Sequence, residues 1–172
     1  MNPGSDAKPR GIPVWAWILM ALVVVFGGLL FLMALAIPSL NSAKKRANEM
    51  AAIARVHTIM TAEITYSSTY PDRGYACSIS TLGGDARLRP PTADAAELIP
   101  GDLATGYKDG YIYGVMNCSK DAAGGSGPFT GFMVTATPQA PGKTGDRGFC
   151  VKEDELVRFD PAGGTNCTQP LE

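Results

Sequence analysis

The sequence has little histidine and no long run of basic residues. His57 is the only histidine in 172 residues. The sequence therefore has almost none of the residues that catalytic triads, histidine relays and multi-histidine metal sites require. The densest basic run is Lys44–Arg46 and the formal net charge is −1, which is unlike the basic surface of a nucleic-acid-binding protein. We therefore expect no enzyme, no cofactor and no nucleic-acid partner, and we expect His57 to pack in a core or an interface.

Ionisable side chains are absent between Arg10 and Lys44. Within that stretch, residues 12–37 are apolar apart from two glycines and Pro13. As a helix these residues would reach roughly 39 Å, which exceeds the roughly 30 Å of bilayer hydrocarbon. The pattern predicts a cytoplasmic tail at residues 1–11 and a transmembrane helix at residues 12–37, with the lipid bilayer as a partner.

A cleaved signal peptide is the alternative to an uncleaved anchor. Ala34-Leu35-Ala36 offers a small-x-small cleavage site. The apolar core of a signal peptide is usually only about 7–15 residues long, however. Trp15 and Trp17 also stand at the start of the stretch, where their rings suit the headgroup region. These features favour an uncleaved anchor.

The orientation of the anchor rests on two signals that disagree. Lys44–Arg46 follow the span more closely than basic residues precede it, and such a bias normally marks the cytoplasmic side. The cysteines indicate the opposite, because an even number of them, all placed after the span, suits an oxidising compartment. They are Cys77, Cys118, Cys150 and Cys167. We follow the cysteines and expect the C-terminal part outside the cytoplasm.

The same four cysteines could instead bind zinc. No two of them have the C-x₂₋₄-C spacing that places two ligands on one turn, so structural disulfides are the better interpretation. Three pairings are possible. Pairing Cys77 with Cys118 and Cys150 with Cys167 closes the shorter loops and is our choice among them.

Helical periodicity continues beyond the membrane segment. Apolar residues recur at spacings of three, four and seven, which predicts an amphipathic helix over residues 38–70, with a bend at Pro38. The apolar stripe, expected to dock on the rest of the chain, consists of Leu40, Ala43, Ala47, Met50, Ile53, Ala54, His57, Met60 and Ile64. The face expected to be solvated carries Lys44, Lys45, Arg46, Asn48, Glu49, Arg55 and Glu63.

The composition of residues 71–172 predicts a small β-rich head. Short runs of strand composition are separated by Gly, Pro, Asn and Asp, which predicts an antiparallel meander. The expected strands are Tyr111–Met116, Gly131–Thr137, Gly148–Val151 and Leu156–Phe159, and a short helix is expected at Asp94–Leu98. The predicted class is α+β: a long bent N-terminal helix, half transmembrane and half amphipathic, packed on a small antiparallel sheet.

Several stretches resemble type IV pilins and type II secretion pseudopilins. Residues 34–40, Ala-Leu-Ala-Ile-Pro-Ser-Leu, are similar to the membrane-exit pattern of that family, and a basic, Ala-rich helix follows. Residues 59–75 resemble its helix end and following turn, and residues 135–149 resemble its last-strand region. The resemblance implies a pilin-like fold and a structural role among like helices or other subunits of an envelope or secretion complex.

The N-terminus departs from that family. Family members carry a prepilin-peptidase site, Gly then Phe, and an acidic residue five positions into the mature chain. The corresponding positions here are Ala16-Trp17 and Ala21. Without a new N-terminal amine there is no charge in the bilayer for an acidic residue to neutralise, so the two departures are consistent with an uncleaved anchor.

The resemblance also makes Ca²⁺ a candidate ligand, because some pseudopilins bind it near the last hairpin. The candidates are Glu153, Asp154, Glu155 and Asp160, with a solvated acidic turn as the alternative. The expected protein is thus a structural, single-pass pilin-like subunit of a bacterial inner membrane, with its head in the periplasm or at the cell surface. A membrane-tethered binding module that does not polymerise is the alternative.

Overall fold

The computed structural model describes residues 13–84, 90–120 and 127–171, without the side chains of residues 34–39. The predicted tail at residues 1–11 and the first residue of the predicted span lie outside the described residues. The chain divides into two compact units, Met1–Asn41 and Ser42–Glu172. Each unit is taken by itself below.

The first unit is helical and apolar. Helix α1 begins at Val14 and ends at Thr69, and it continues through Pro38 without interruption. Its Val14–Met33 part has a mean hydropathy of 2.6 and buries none of its side chains in the protein. Twenty residues of helix reach about 30 Å, so this segment is long and apolar enough to span a membrane. The bend at Pro38 stays a prediction.

The second unit contains a six-stranded sheet in which every neighbouring pair is antiparallel and the strand order follows the chain. Its strands are β1 (Tyr107–Lys108), β2 (Tyr111–Lys120), β3 (Phe129–Pro138), β4 (Gly148–Lys152), β5 (Arg158–Asp160) and β6 (Gln169–Pro170). The α+β class and the antiparallel meander are confirmed. The two-residue strands β1 and β6 are too short to leave a periodic signal.

The first hairpin is formed by a turn that the sequence marks plainly. Asp109 and Gly110 connect β1 to β2, and both have positive φ, 52° and 76°. A two-residue Asp-Gly loop of this kind twists in the same sense as the strands it joins. The hairpin therefore starts the meander at Tyr111, whose ring is fully buried.

The core lies between one face of the sheet and the second half of α1. Alternate strand residues point into it, as the two-residue period of a strand requires. These are Tyr111, Tyr113, Phe132, Val134, Ala136, Phe149 and Val151. The helix contributes Ala52, Val56, Ile59, Met60, Ala62 and Tyr66 to the same cluster.

Two short helices cover one end of this core. They are α2 (Ile79–Leu82) and α3 (Gly101–Ala104). The helix predicted at Asp94–Leu98 is wrong, because Asp94 lies in a turn and the residues after it are irregular, with a φ of 55° at Glu97. The backbone N–H of Ala96 donates to Thr81 and that of Leu98 donates to Leu82, so tertiary hydrogen bonds replace the helical ones.

The structure joins Cys77 to Cys118 and Cys150 to Cys167, with Cα–Cα distances of 6.2 and 6.0 Å. Cys118 lies in an irregularity of β2, where Asn117 has a φ of 54° and the register with β3 shifts. The first disulfide ties the segment after α1 to the sheet. The second ties the C-terminal segment to β4.

Candidate functional site

The carboxylate of Glu49 joins α1 to the loop between β3 and β4. Its Oε1 accepts the backbone N–H groups of Asp146 (2.9 Å) and Arg147 (3.2 Å). Its Oε2 accepts Nε and Nη2 of Arg147 at 3.0 and 2.8 Å. Glu49 is only 6% exposed, so its carboxylate is largely removed from water, whereas the Arg147 side chain is 38% exposed. The arrangement fixes both the position and the direction of the loop on the helix.

Arg147 is held in place from the sheet side as well. The hydroxyl of Tyr111 donates to the carbonyl of Arg147 at 2.9 Å. The guanidinium lies over the rings of Phe149 and Phe159, 5.4 and 5.2 Å from their centroids. Gly145 makes this packing possible, because a Cβ there would collide with the Tyr111 hydroxyl. Helix, loop and sheet therefore meet at one side chain.

A second set of contacts borders this junction. The side-chain amide of Asn48 donates to the carbonyl of Thr144 at 2.8 Å, and Lys45 pairs with Asp146 at 2.8 Å. An open cleft of about 540 Å³ lies here between the helix and the loop, lined partly by Arg46 and Met50. Five of the seven residues that line the cleft are ionisable, which sets it apart from a typical small-molecule pocket.

The other buried carboxylate of the helix is that of Glu63, which is fully buried. It accepts the backbone N–H groups of Ala76 (2.6 Å) and Cys77 (3.1 Å), in the segment that follows the helix. Burial outweighs the opposing effect of these two hydrogen bonds and raises the pKa of Glu63 from 4.5 to about 7. A carboxyl that can hold its proton near neutral pH thus sits beside the Cys77–Cys118 disulfide.

The predicted solvated face of the helix is wrong at both glutamates. Glu49 and Glu63 lie 14 residues apart, which puts them within about 40° of each other around a helix. Ala52, Val56 and Ile59 lie between them on the same side, and all are completely buried. This spacing could have predicted that both glutamates lie on the buried face. Their charges instead led to the prediction that they face the solvent. No local sequence motif marks Arg147, so its role as the partner of Glu49 was not predicted.

The predicted docking stripe is wrong for the same reason, because the helix presents a different face to the sheet. Met60 is buried and Ile53 and Ile64 are half-buried, whereas the remaining positions are exposed. The exposed positions within the second unit form the outer stripe: Ala43, Ala47, Met50, Ala54 and His57. His57 therefore does not pack in the core. Met50 is 73% exposed and Leu40 is 66% exposed, which is unusual for large apolar side chains.

The four calcium candidates are engaged separately. Glu153 accepts the backbone N–H of Phe132 at 2.5 Å, and Asp154 pairs with Arg158 at 2.6 Å. Asp160 accepts the N–H groups of its own loop at residues 162 and 166. Glu155 is exposed. Within the described ranges no three His, Cys, Asp or Glu side chains come together in a way that could hold a metal ion.

Comparisons of the chain with protein-family models, with curated proteins and with solved structures return no match.

Replacement of Glu49 by Ala is expected to lower the free energy of unfolding by about 3–5 kcal/mol, because it leaves a guanidinium and two backbone N–H groups without their partner. Chemical unfolding of the full chain in detergent micelles, followed by near-UV circular dichroism, measures the change. Lys45→Gln is the matched control, since it breaks an exposed ion pair at the same junction and should cost less than about 1 kcal/mol. Equal effects of the two variants would contradict the importance of the Glu49 contacts.

Glu63 is expected to make the protein less stable as the pH rises. Its pKa is raised from 4.5 in the unfolded chain to about 7 in the fold, so the folded state binds the extra proton between these values. The free energy of unfolding should therefore fall from pH 4.5 to pH 7, by up to about 3 kcal/mol, and this contribution should level off above that range.

The same unfolding measurement at pH 5 and pH 8 tests this expectation. Glu63→Gln should remove most of the difference between the two values, whereas Glu155→Gln, at an exposed position, should retain it. A wild-type difference that survives in Glu63→Gln would assign the pH dependence to another group.

Proposed function

We propose that this chain is a structural, membrane-anchored subunit of the pilin-like or pseudopilin-like kind. Residues 12–37 anchor it in a bacterial inner membrane, and residues 71–172 form a head in the periplasm or at the cell surface. The subunit assembles through α1 with like helices, or with other subunits of an envelope or secretion complex. An apolar helix that runs on into a helix packed on an antiparallel sheet supports this proposal, as do the two disulfides.

The observation that carries the proposal is the outer stripe. Its residues alternate spacings of three and four, which is the a/d pattern of a helix seam. Its alanines allow close approach of a second backbone, while Met50 supplies a large apolar side chain. The head of the same chain covers a different face of α1, so the outer stripe is apolar and uncovered. A helix partner would bury it.

The small residues of the first unit are consistent with such packing. Gly27 and Gly28 have no atoms within 4 Å of where a Cβ would stand, and Ala21 is exposed. Small residues permit close helix contacts in lipid, where burial of apolar surface gives no driving force. Ala34 and Ala36 are further small residues of the same apolar stretch.

Met50→Glu is expected to weaken self-association at least a hundredfold. A carboxylate buried in an apolar seam costs several kcal/mol, and each 1.4 kcal/mol is a factor of ten. Sedimentation of the full chain in detergent measures the association. Met50→Leu keeps the seam apolar, and Gln139→Glu adds the same charge at an exposed position of the head away from α1, so both should associate normally. A wild-type chain that remains monomeric would favour the tethered binding module instead.

The proposed compartment predicts that the protein extracted from membranes retains its N-terminal segment and has all four cysteines oxidised. Intact mass spectrometry with alkylation, before and after reduction, measures both properties in one sample. Reduction should add four labels. Loss of the residues before Trp17 together with an N-methyl group would indicate conventional pilin processing. Four labels without reduction would place the head in a reducing compartment.

A further inference from the structure

We propose that the Cys77–Cys118 disulfide is a site of thiol–disulfide exchange, which an external dithiol reduces while the Cys150–Cys167 disulfide stays closed. The inference goes beyond the proposed function and depends neither on a membrane anchor nor on self-association. All the residues that carry it lie in the second unit of the chain. It assigns a chemical role to the first disulfide and leaves a structural role to the second.

An open cleft of about 420 Å³ borders the first disulfide. It lies between α2 on one side and strands β1 and β2 on the other, and its lining includes Cys77, Ser80, Thr105 and Val115. None of the described residues that line it carries a charged side chain at neutral pH. The attacking species in exchange is a thiolate. Such an anion meets no carboxylate in the described lining of this cleft.

Burial distinguishes the two disulfides. Cys77 and Cys118 are both half-buried, whereas Cys150 is only 2% exposed on β4, which has β3 and β5 paired on either side. Attack on the Cys150 sulfur is therefore blocked. Attack on Cys167 would expel Cys150 as a thiolate, and burial disfavours that charge and makes Cys150 a poor leaving group. The first disulfide has neither obstacle.

The backbone at both ends of the first disulfide has an uncommon conformation. Cys77 has a φ of 58°, and Asn117, which precedes Cys118, has a φ of 54°. Residues other than glycine rarely adopt positive φ, and they keep it where the surrounding structure enforces it. The register of β2 with β3 also shifts around Cys118. Cleavage of the disulfide removes one constraint on Cys77 and allows its backbone to relax.

The exchange proceeds in two steps. A thiolate of the dithiol attacks the sulfur of Cys77 to form a mixed disulfide, and the bond to Cys118 breaks with its electron pair leaving on Cys118. The second thiolate of the dithiol then attacks its own sulfur in the mixed disulfide, and Cys77 leaves as a thiolate. The two protein thiolates take up protons from water. The protein disulfide has gained two electrons, and the dithiol has lost two electrons and become a disulfide.

Reduction releases the segment after α1 from β2 while the head stays folded. Glu63 still accepts two backbone N–H groups of that segment, and the N–H of Tyr75 donates to the carbonyl of Phe129 at 3.0 Å. Of the described residues that form the buried core cluster, none is Cys77 or Cys118. The change is therefore local, and the disulfide acts as a redox-sensitive fastening at the end of α1.

The test treats the full chain in detergent micelles with dithiothreitol at neutral pH for graded times, followed by acid quenching, denaturation and alkylation. Peptide mapping measures the alkylated fraction of each cysteine. Cys77 and Cys118 should become alkylated about tenfold faster than Cys150 and Cys167. Equal rates, or earlier opening of the Cys150–Cys167 disulfide, would overturn the proposal.

Ser80→Glu tests the route of attack through the cleft. It places a negative charge at an exposed lining position and should slow reduction of the first disulfide about threefold at low salt, because the attacking thiolate is repelled. Ser80→Gln is the matched control, since it introduces a side chain of the same length without the charge and should be reduced at the wild-type rate. An unchanged rate in Ser80→Glu would exclude this route.

Two further measurements follow the product. Glutathione in place of dithiothreitol should yield a mixed disulfide on Cys77, with Cys118 as the free thiol. In the reduced chain, hydrogen exchange of the amides at residues 76–80 should become about tenfold faster, whereas the amides of β3 and β4 should keep their protection. A mixed disulfide on Cys118 would contradict the direction of attack, and loss of protection throughout the sheet would contradict a local release.

Discussion

Desolvation of two carboxylates on one helix face is the constraint on which the rest of the structure depends. A buried carboxylate is tolerated only when hydrogen bonds replace the water that it loses. Glu49 accepts four such bonds from Asp146 and Arg147, and Glu63 accepts two from Ala76 and Cys77. Each glutamate therefore dictates the course of a distant chain segment. Together they set the rotation of α1 against the sheet, because any other rotation would separate one of the two carboxylates from its hydrogen-bond donors.

This rotation has a consequence for the opposite side of the helix. With Ala52, Val56 and Ile59 directed at the sheet, the outer stripe has no cover from its own chain. The helix is thus apolar on two sides, and a helix of that kind is stable only when both sides are buried. The head of the chain buries the internal side of the helix. The uncovered external side is the physical basis for the proposal that a partner helix packs on α1.

The sequence was most informative where local physics decides the outcome. Val14–Met33 is too long and too apolar for anything but a helix in a low-dielectric environment or a fully buried one. The sequence was misleading at Asp94–Leu98. Asp94 is a good helix N-cap residue, but the segment forms backbone hydrogen bonds to α2 instead of a helix. The sequence was also misleading at Glu49 and Glu63, because their charges predicted that both side chains face the solvent.

Composition and periodicity by themselves thus determined the α+β class, the apolar helix, the meander and a cysteine set suited to disulfides. These properties follow from side-chain type and short-range spacing, which the sequence states directly. Only the tertiary structure decided which face of α1 is buried, that Arg147 binds Glu49, and that the carbonyl of Thr144 accepts the side-chain amide of Asn48. Those facts depend on contacts between residues about a hundred positions apart, where hydrogen bonding to a specific partner outweighs the average preference of a residue for water.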